Sequence, residues 1–421
     1  MAPGEKIPQS FQEAGEWLLG LELFGMDFGT DRMRSLLAEL GDPQESFRSV
    51  HVVGSNGKSS TTRLTEAILR AQGVSTGAYL SPHLGSWTER VLVAGGQVAE
   101  PDFASAAADV ARAVARVDSS GEAGPVTQFE AMTAIAFLIF ARQGVEVAVV
   151  EAGLGGRLDA TNVIGAPVSV LVSVGLEHTR WLGDTVAAIA AEKLDVVAPG
   201  SALVIPADLD PEALDVAVAR AEEAGARIVV APAASPLAPA GTPPYLSHNL
   251  ALAAAAAHAF LGALDDSLVR EAVGSGALDI RGRYEIAGSE PRTILDGAHN
   301  ADGAAALARA LKEDGPGRPV VACISVLDDK DAGAMIGSLT GVVDRFVFTR
   351  SSHPRSISPQ SLVEIAGEMG GLPAEAVEEP HAALESARAA AGTSGTVVAG
   401  GSLYLIADLG RPVGASGAST L

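Results

Sequence analysis

Val50-His51-Val52-Val53-Gly54-Ser55-Asn56-Gly57-Lys58-Ser59-Ser60 decides the fold class: a β-branched apolar run passes straight into small polar residues, and Thr61–Ala71 behind it has helical periodicity. Strand, glycine turn and helix in that order form a phosphate cradle. Small residues let backbone N–H groups close on phosphate oxygens, and the helix N-terminus adds positive partial charge. Lys58 reaches the terminal phosphates and a hydroxyl can touch Mg²⁺. The usual spacing puts the first glycine at position 52, which is Val52, so this is a shortened P-loop with Gly54 in that place. An ordinary glycine turn with a surface lysine is the plain alternative, and the strand–loop–helix context argues against it.

The same grammar recurs outward. Val145–Val150 leads into Glu151–Asn162 and Val168–Val174 into Gly175–His178. Later, Thr293–Leu295 leads into Asp296–Asn300, Val320–Ser325 into Asp328–Asp331, Phe346–Thr349 into Arg350–Arg355, and Thr396–Ala399 into Gly400–Tyr404. Strands alternating with helices predict an α/β fold with ligands beyond the carboxyl ends of the strands. The 421 residues exceed the length, about 250–300, at which single cores stop growing, so two α/β sheets facing a shared cleft are expected. The Gly/Pro-containing stretch 281–292 marks the boundary and gives domains over residues 1–285 and 286–421. Ala231–Pro244 reads as an exposed connection in the first domain and Ala251–Ala257 as a tightly packed helix.

Composition narrows the function classes. A formal net charge of −22 opposes binding to a phosphate backbone, so nucleic acid is not an expected partner. No apolar run reaches the about 18 residues that span a bilayer, and no basic segment leads into an apolar one near Met1, so neither membrane nor export is indicated. The single Cys323 reads as a small core residue and fits a reducing cytoplasm. A cytoplasmic monomer is the expectation.

Glu151-Ala152-Gly153-Leu154-Gly155-Gly156-Arg157 sets a carboxylate at a strand end before three glycines and an arginine. That suits a Mg²⁺ ligand beside a loop that phosphates approach; a solvated Glu–Arg pair on a flexible turn is the plain alternative. His178 lies past the next strand on the same rim, where histidine binds a metal or orients a phosphate, although an isolated one is more often a hydrogen-bonded surface group. Lys193, between Glu192 and Asp195 in the helical stretch Thr185–Val197, reads by itself as a surface lysine in local ion pairs.

In order along nearly the whole chain, the motifs resemble the folylpolyglutamate synthase/dihydrofolate synthase family of the Mur ligase superfamily. They are Phe28-Gly29-Thr30-Asp31-Arg32, Gly41-Asp42-Pro43-Gln44, the P-loop, Ser81-Pro82-His83-Leu84 with Glu89-Arg90-Val91, and Phe129-Glu130 with Thr133. Glu151–Asn162, His178-Thr179 with Leu182-Gly183, Glu192-Lys193, and Gly282-Arg283-Tyr284-Glu285 follow. Asp296-Gly297-Ala298-His299-Asn300, Asp329-Lys330-Asp331 and Gly401-Ser402-Leu403-Tyr404-Leu405 complete the series.

The resemblance implies a P-loop-containing Mur-ligase-like ATPase domain followed by a smaller Rossmann-like α/β domain. The implied reaction adds L-glutamate to a folate-type carboxylate, dihydropteroate or tetrahydrofolate, through an acyl phosphate, releasing ADP and phosphate. Gly54, Ser55, Asn56, Gly57, Lys58, Ser59 and Ser60 would hold the ATP phosphates. Ser81 and Glu151 would bind a first Mg²⁺ and His178 a second. Lys193 matches the lysine that is carbamylated in the family, which reverses its reading as a surface group. Asn249 would lie near adenine. Arg283, Asp296 and His299 would contact nucleotide when the domains close, with Lys58, Lys193 and His299 as the catalytic set. Ser81, Pro82, His83 and Arg157 would border the pteroate or folate substrate, and the second domain would receive glutamate.

The chain departs from the family pattern at Ser59 for glycine, Glu177 for aspartate, Ala301 for proline and Leu194-Asp195-Val196 for Ala-Gly-Ile. A Mur-type ligase coupling an amino acid to a non-folate carboxylate is the alternative within the same chemistry. A nucleotide-binding regulator is opposed by Lys58, Glu151, His178 and Lys193 occurring together. An NAD oxidoreductase is opposed by the lack of G-x-G-x-x-G spacing after a first strand.

Overall fold

The computed structural model describes residues 7–22, 29–120, 124–369 and 371–412; Phe28 of the first family-like motif lies outside these. The chain divides into two compact units. Described residues up to Pro239, with Ser247–Ala277, form the first; Ala240–Leu246 with the described residues from Leu278 onward form the second.

The first unit is built on β1 (Arg48–Val53), β2 (Thr76–Tyr79), β3 (Val91–Val93), β4 (Gly96–Gln97), β5 (Val147–Glu151), β6 (Val168–Leu171), β7 (Ala202–Pro206) and β8 (Arg227–Ala231). They form one sheet in the order β4-β3-β2-β5-β1-β6-β7-β8. All pairings are parallel except β2 with β3 and β3 with β4. The chain leaves β1 toward β2 on one side, then crosses back after β5 to enter β6 on the other. The carboxyl end of β1 therefore sits at the topological switch point where such sheets bind ligands. Val147–Glu151 is buried throughout, which is why it reads as a continuous apolar run and not as alternation.

Helix Gln128–Arg142 packs deepest. Thr127 caps it with a reciprocal Glu130 bond, and Glu130 also takes the buried Arg32 guanidinium at 2.8 Å. Phe137 and Phe140 meet the Phe47 ring edge-on at 5.7 and 5.8 Å between centroids, and each fully buried side chain of this kind stabilises the fold by about 2 kcal/mol.

The second unit carries β9 (Glu285–Ser289), β10 (Arg292–Asp296), β11 (Val320–Ile324), β12 (Arg345–Phe348), β13 (Ala374–Ala376) and β14 (Thr396–Gly400), ordered β13-β12-β11-β14-β10-β9. Only β9 is antiparallel to its neighbour. Cys323 lies in β11, buried as expected. Among the described residues, no helix is long and apolar enough to cross a membrane.

Several expectations change. Residues 231–244 are not simply exposed: Ala231 ends β8 fully buried, Ser235 and Leu237 are buried, and the Ser235 amide bonds the Ser247 hydroxyl at 3.0 Å. Ala240–Leu246 joins the second unit because Leu246 enters that unit's apolar core and the Tyr245 hydroxyl bonds Asp296. The divide between the units falls at Ala277/Leu278, ahead of residue 285, because the Gly282 carbonyl accepts the Gly297 amide at 2.8 Å and ties this turn to the end of β10. The P-loop helix starts at Lys58, earlier than Thr61, and the helix carrying Lys193 spans Val186–Leu194.

Candidate functional site

The loop between β1 and helix Lys58–Ala71 is stitched to the segment that follows β6. The Ser55 amide donates to the Ser173 carbonyl at 2.9 Å, and the Ser55 hydroxyl accepts the Gly175 amide at 3.0 Å. The Ser173 hydroxyl accepts the Asn56 amide at 2.9 Å and donates to the Asn56 carbonyl at 3.0 Å. Gly57 has φ +86°, and a Cβ there would lie 2.6 Å from Asn249 Oδ1. Asn249, buried, is thus packed against the Gly57 turn.

Lys58 Nζ folds back onto the Gly54 and Ser55 carbonyls at 2.9 and 3.2 Å. The first amides of its helix have no intrahelical partner, the ordinary condition of a helix start and the reason such ends receive anions. Ser60, Thr61 and Thr62 keep buried hydroxyls without a hydrogen-bond partner in the same turn.

Glu151 ends β5 at 1% exposure. Its Oε1 accepts the Ser59 hydroxyl at 2.8 Å and its Oε2 the Ser81 amide at 3.1 Å. The strand-end carboxylate, the P-loop hydroxyl and Ser81 therefore meet. Among the described residues, no group of three or more His, Cys, Asp or Glu side chains is gathered where a metal could sit. His178 stands on the same rim at the start of the short helix Thr179–Leu182, with φ 48°, a region few non-glycine residues occupy.

Lys193 overturns its reading as a surface lysine. At 2% exposure, its Nζ donates to the Gly54 carbonyl at 3.0 Å and to Glu177 Oε1 at 3.1 Å. Its chain neighbours pair elsewhere, Glu192 with Arg157 at 3.0 Å and Asp195 with Arg220 at 3.8 Å. Burial, then the charge of Lys58, push the Lys193 ammonium down to about 8 against the pull of Glu177. Burial alone would raise Glu177, but Lys58, Lys193 and His178 override it and hold the carboxyl at about 2.

In the turn after β2, His83 Nδ1 accepts Arg90 Nε at 2.9 Å and its ring lies 4.6 Å from Trp87. Glu89 takes the amides of Leu84, Gly85 and Ser86, which orders the turn after exposed Pro82. Arg157 is exposed, above the loop after β5.

In the second unit, Arg283, Asp296 and His299 come together at the carboxyl end of β10. Asp296 accepts Tyr284 N and Ala298 N, each at 2.9 Å, besides the Tyr245 hydroxyl, so it shapes the turn. A Cβ on Gly297 would lie 2.4 Å from Arg283 Nη1, and His299 Nδ1 is 2.9 Å from the Gly297 carbonyl.

Sequence reading missed Glu177 as the partner of Lys193, Ser173 as the clasp of the P-loop, and any role for Asp159, Thr161 and His51. A carboxylate directly before His178 was the one available signal. The others depend on contacts between distant segments.

Comparison with known proteins places the chain in a family. The family described as Mur ligase, glutamate ligase domain, matches residues 282–403. The dihydrofolate synthase/folylpolyglutamate synthase of Mycobacterium tuberculosis is 35% identical over 387 residues, covering 82% of this chain and 79% of that protein. The crystal structure of Mycobacterium tuberculosis folylpolyglutamate synthase complexed with ADP superposes with a TM-score of 0.87 at 29% identity, covering 97% of this chain and 99% of that one. The bifunctional folylpolyglutamate synthase/dihydrofolate synthase of Yersinia pestis complexed with AMPPNP and Mn ion gives 0.80 at 27% identity over 95% and 97%. Likeness of this depth along the length of both partners, in sequence as well as in shape, makes the chain a member of the dihydrofolate synthase/folylpolyglutamate synthase family of Mur ligases.

Proposed function

We propose that the chain joins L-glutamate to the carboxylate of a folate-type acceptor, dihydropteroate or tetrahydrofolate, with ATP converted to ADP and phosphate. The observation that carries this reading is the meeting of Lys58, Lys193 and the Ser59–Glu151–Ser81 cluster around one phosphate loop. The γ-phosphoryl group passes to an acceptor carboxylate oxygen, giving an acyl phosphate. The glutamate amine then attacks the carbonyl carbon, and the carbon–oxygen bond to phosphate breaks. Phosphoryl transfer needs positioning and charge neutralisation more than a protein nucleophile. Lys58 and the amides of Gly57–Ser60 receive the phosphates, supplying local positive charge in a chain of net charge −22.

Mg²⁺ fits the donor set: Glu151 with the Ser59 and Ser81 hydroxyls would hold a first ion and His178 a second, supplying neutralisation of the phosphate oxygens. We assign Asn249 to the base of the nucleotide, and His83, Pro82 and Arg157 to the acceptor. We assign Arg283 and His299 to a substrate-facing edge of the second unit. Carbamylation of Lys193 is part of this reading, supported by its burial and its lowered pKa of about 8, since only a neutral amine adds CO₂. The acidic chain supports an enzyme without nucleic-acid partners, and buried Cys323 fits a monomer working in a reducing cytoplasm.

The test is incubation of the purified protein with ATP, Mg²⁺, glutamate and either acceptor. ADP release that needs both glutamate and acceptor, with a product one glutamate heavier, is expected. Absence of ADP release with both acceptors removes the folate assignment.

A further inference from the structure

His51 lies fully buried in β1, and its Nε2 is 2.8 Å from the hydroxyl of Thr161, itself fully buried. That hydroxyl also bonds Asp159 Oδ1, which accepts the Thr161 amide at 3.0 Å. The other carboxylate oxygen, Oδ2, accepts the amides of Gly153 at 3.0 Å and Leu154 at 2.8 Å. The direction of the chain is forced. Burial raises the Asp159 carboxyl, but three backbone amides donating to its two oxygens hold it as the acceptor; a hydroxyl has one hydrogen, so Thr161 gives it to Asp159 and closes the His51 contact as an acceptor from Nε2–H. Burial holds the imidazole down at about 3, and therefore neutral, in agreement with one proton on Nε2 and none on Nδ1.

The loop that Asp159 grips has little slack on its far side. A Cβ on Gly153 would lie 2.5 Å from the Phe129 ring, and one on Gly156 2.5 Å from the Lys193 carbonyl. The Arg157 amide donates to the Glu192 carbonyl at 3.0 Å. The loop is thus clamped between Asp159 and the backbone of the helix that carries Lys193.

We infer that His51 is a positioning residue of the ligase: through Thr161 and Asp159 it fixes loop 152–158, and so couples the P-loop strand to the loop bearing Arg157 and to the seat of Lys193. The plain alternative is a core histidine whose hydrogen bond merely satisfies a buried ring. The two differ in what the loop feels when the donor is removed while volume is kept.

Two pairs of variants decide: Thr161→Val against Thr161→Ser, and His51→Leu against His51→Gln, whose amide can still donate. Amide hydrogen exchange at Gly153 and Leu154 in ligand-free protein is the direct readout and does not depend on the proposed reaction. Thr161→Val and His51→Leu should each speed exchange there about tenfold or more, with Thr161→Ser and His51→Gln close to wild type. The kinetic arm rests on the proposed function: the same two disruptive variants should lower kcat/KM for the pteridine acceptor about tenfold, more through KM than kcat, as loss of an outer support does. Wild-type protection in His51→Leu overturns the inference. Equal loss in His51→Leu and His51→Gln also overturns it, because packing alone would then explain the effect. Should Thr161→Val fail to fold, the His51 pair decides alone. A wild-type protein that ligates no glutamate would sink the proposed function and leave the exchange result standing.

Discussion

Lys58 and Lys193 share one acceptor: their ammonium nitrogens lie 2.9 and 3.0 Å from the same Gly54 carbonyl oxygen. Two like charges on one oxygen repel, and Glu177 offsets this through its ion pair with Lys193 and its attraction to Lys58. An arriving polyphosphate would draw Lys58 off the carbonyl and relieve the repulsion, so the loop is electrostatically prepared for an anion.

Lys58→Ala should therefore lower turnover by about 10²–10³ or more, the scale for removing one preorganised charge stabiliser, with little change in melting temperature because Lys58 is only half-buried. Steady-state ADP release and a thermal melt check both halves. Near-normal turnover would remove Lys58 from its assigned role.

Lys193→Met leaves the Glu177 carboxylate without its partner, which at a buried pair costs about 3–5 kcal/mol. The pH dependence follows from the sign of the shift. Glu177 is depressed from 4.5 to about 2, so its stabilising contribution is fully present above 4.5 and is lost as pH falls toward 2. Denaturant titrations of wild type should weaken across that window, and Lys193→Met should lose the part of that dependence that Lys193 supplies, while Lys58 and His178 keep the rest.

Lys193 itself is depressed from 10.5 to about 8, so the folded chain sheds this proton before the unfolded one does, and between those values its contribution to stability rises with pH. The same shift makes the neutral amine available for the proposed carbamylation. Isotopically labelled bicarbonate should give a carbamate signal that grows from pH 7 to 9 and is absent in Lys193→Met. No signal in the folded protein would dismiss the modification.

Gly57→Ala should weaken nucleotide binding and destabilise the first unit by about 1–3 kcal/mol, the cost of a non-glycine residue held at strained φ. At φ +86° the added methyl would meet Asn249 Oδ1 at 2.6 Å and Val172 Cγ1 at 2.9 Å. Calorimetric titration with ADP and chemical denaturation measure the two effects.

Burial pushes the Cys323 thiol up to about 12, so it should resist thiol reagents in the native protein and react after denaturation. Fast native labelling would mean that the second sheet opens.

The sequence by itself determined the local chemistry: the strand, glycine turn and helix of Val50–Ala71, the carboxylate closing β5 and the histidine beyond β6. These are legible because each signal lies within a few neighbouring residues, and a parallel sheet brings strand ends to one edge whatever their separation in the chain. Burial of Lys193 was not legible in the residues alone, since Glu192 and Asp195 look like its ion-pair partners until packing of helix Val186–Leu194 turns Lys193 inward to Glu177. The His51–Thr161–Asp159 relay and the transfer of Ala240–Leu246 to the second unit were likewise decided only by tertiary structure. Which face of an element is covered, and by what, depends on segments far apart in the chain, and no local pattern encodes that partner.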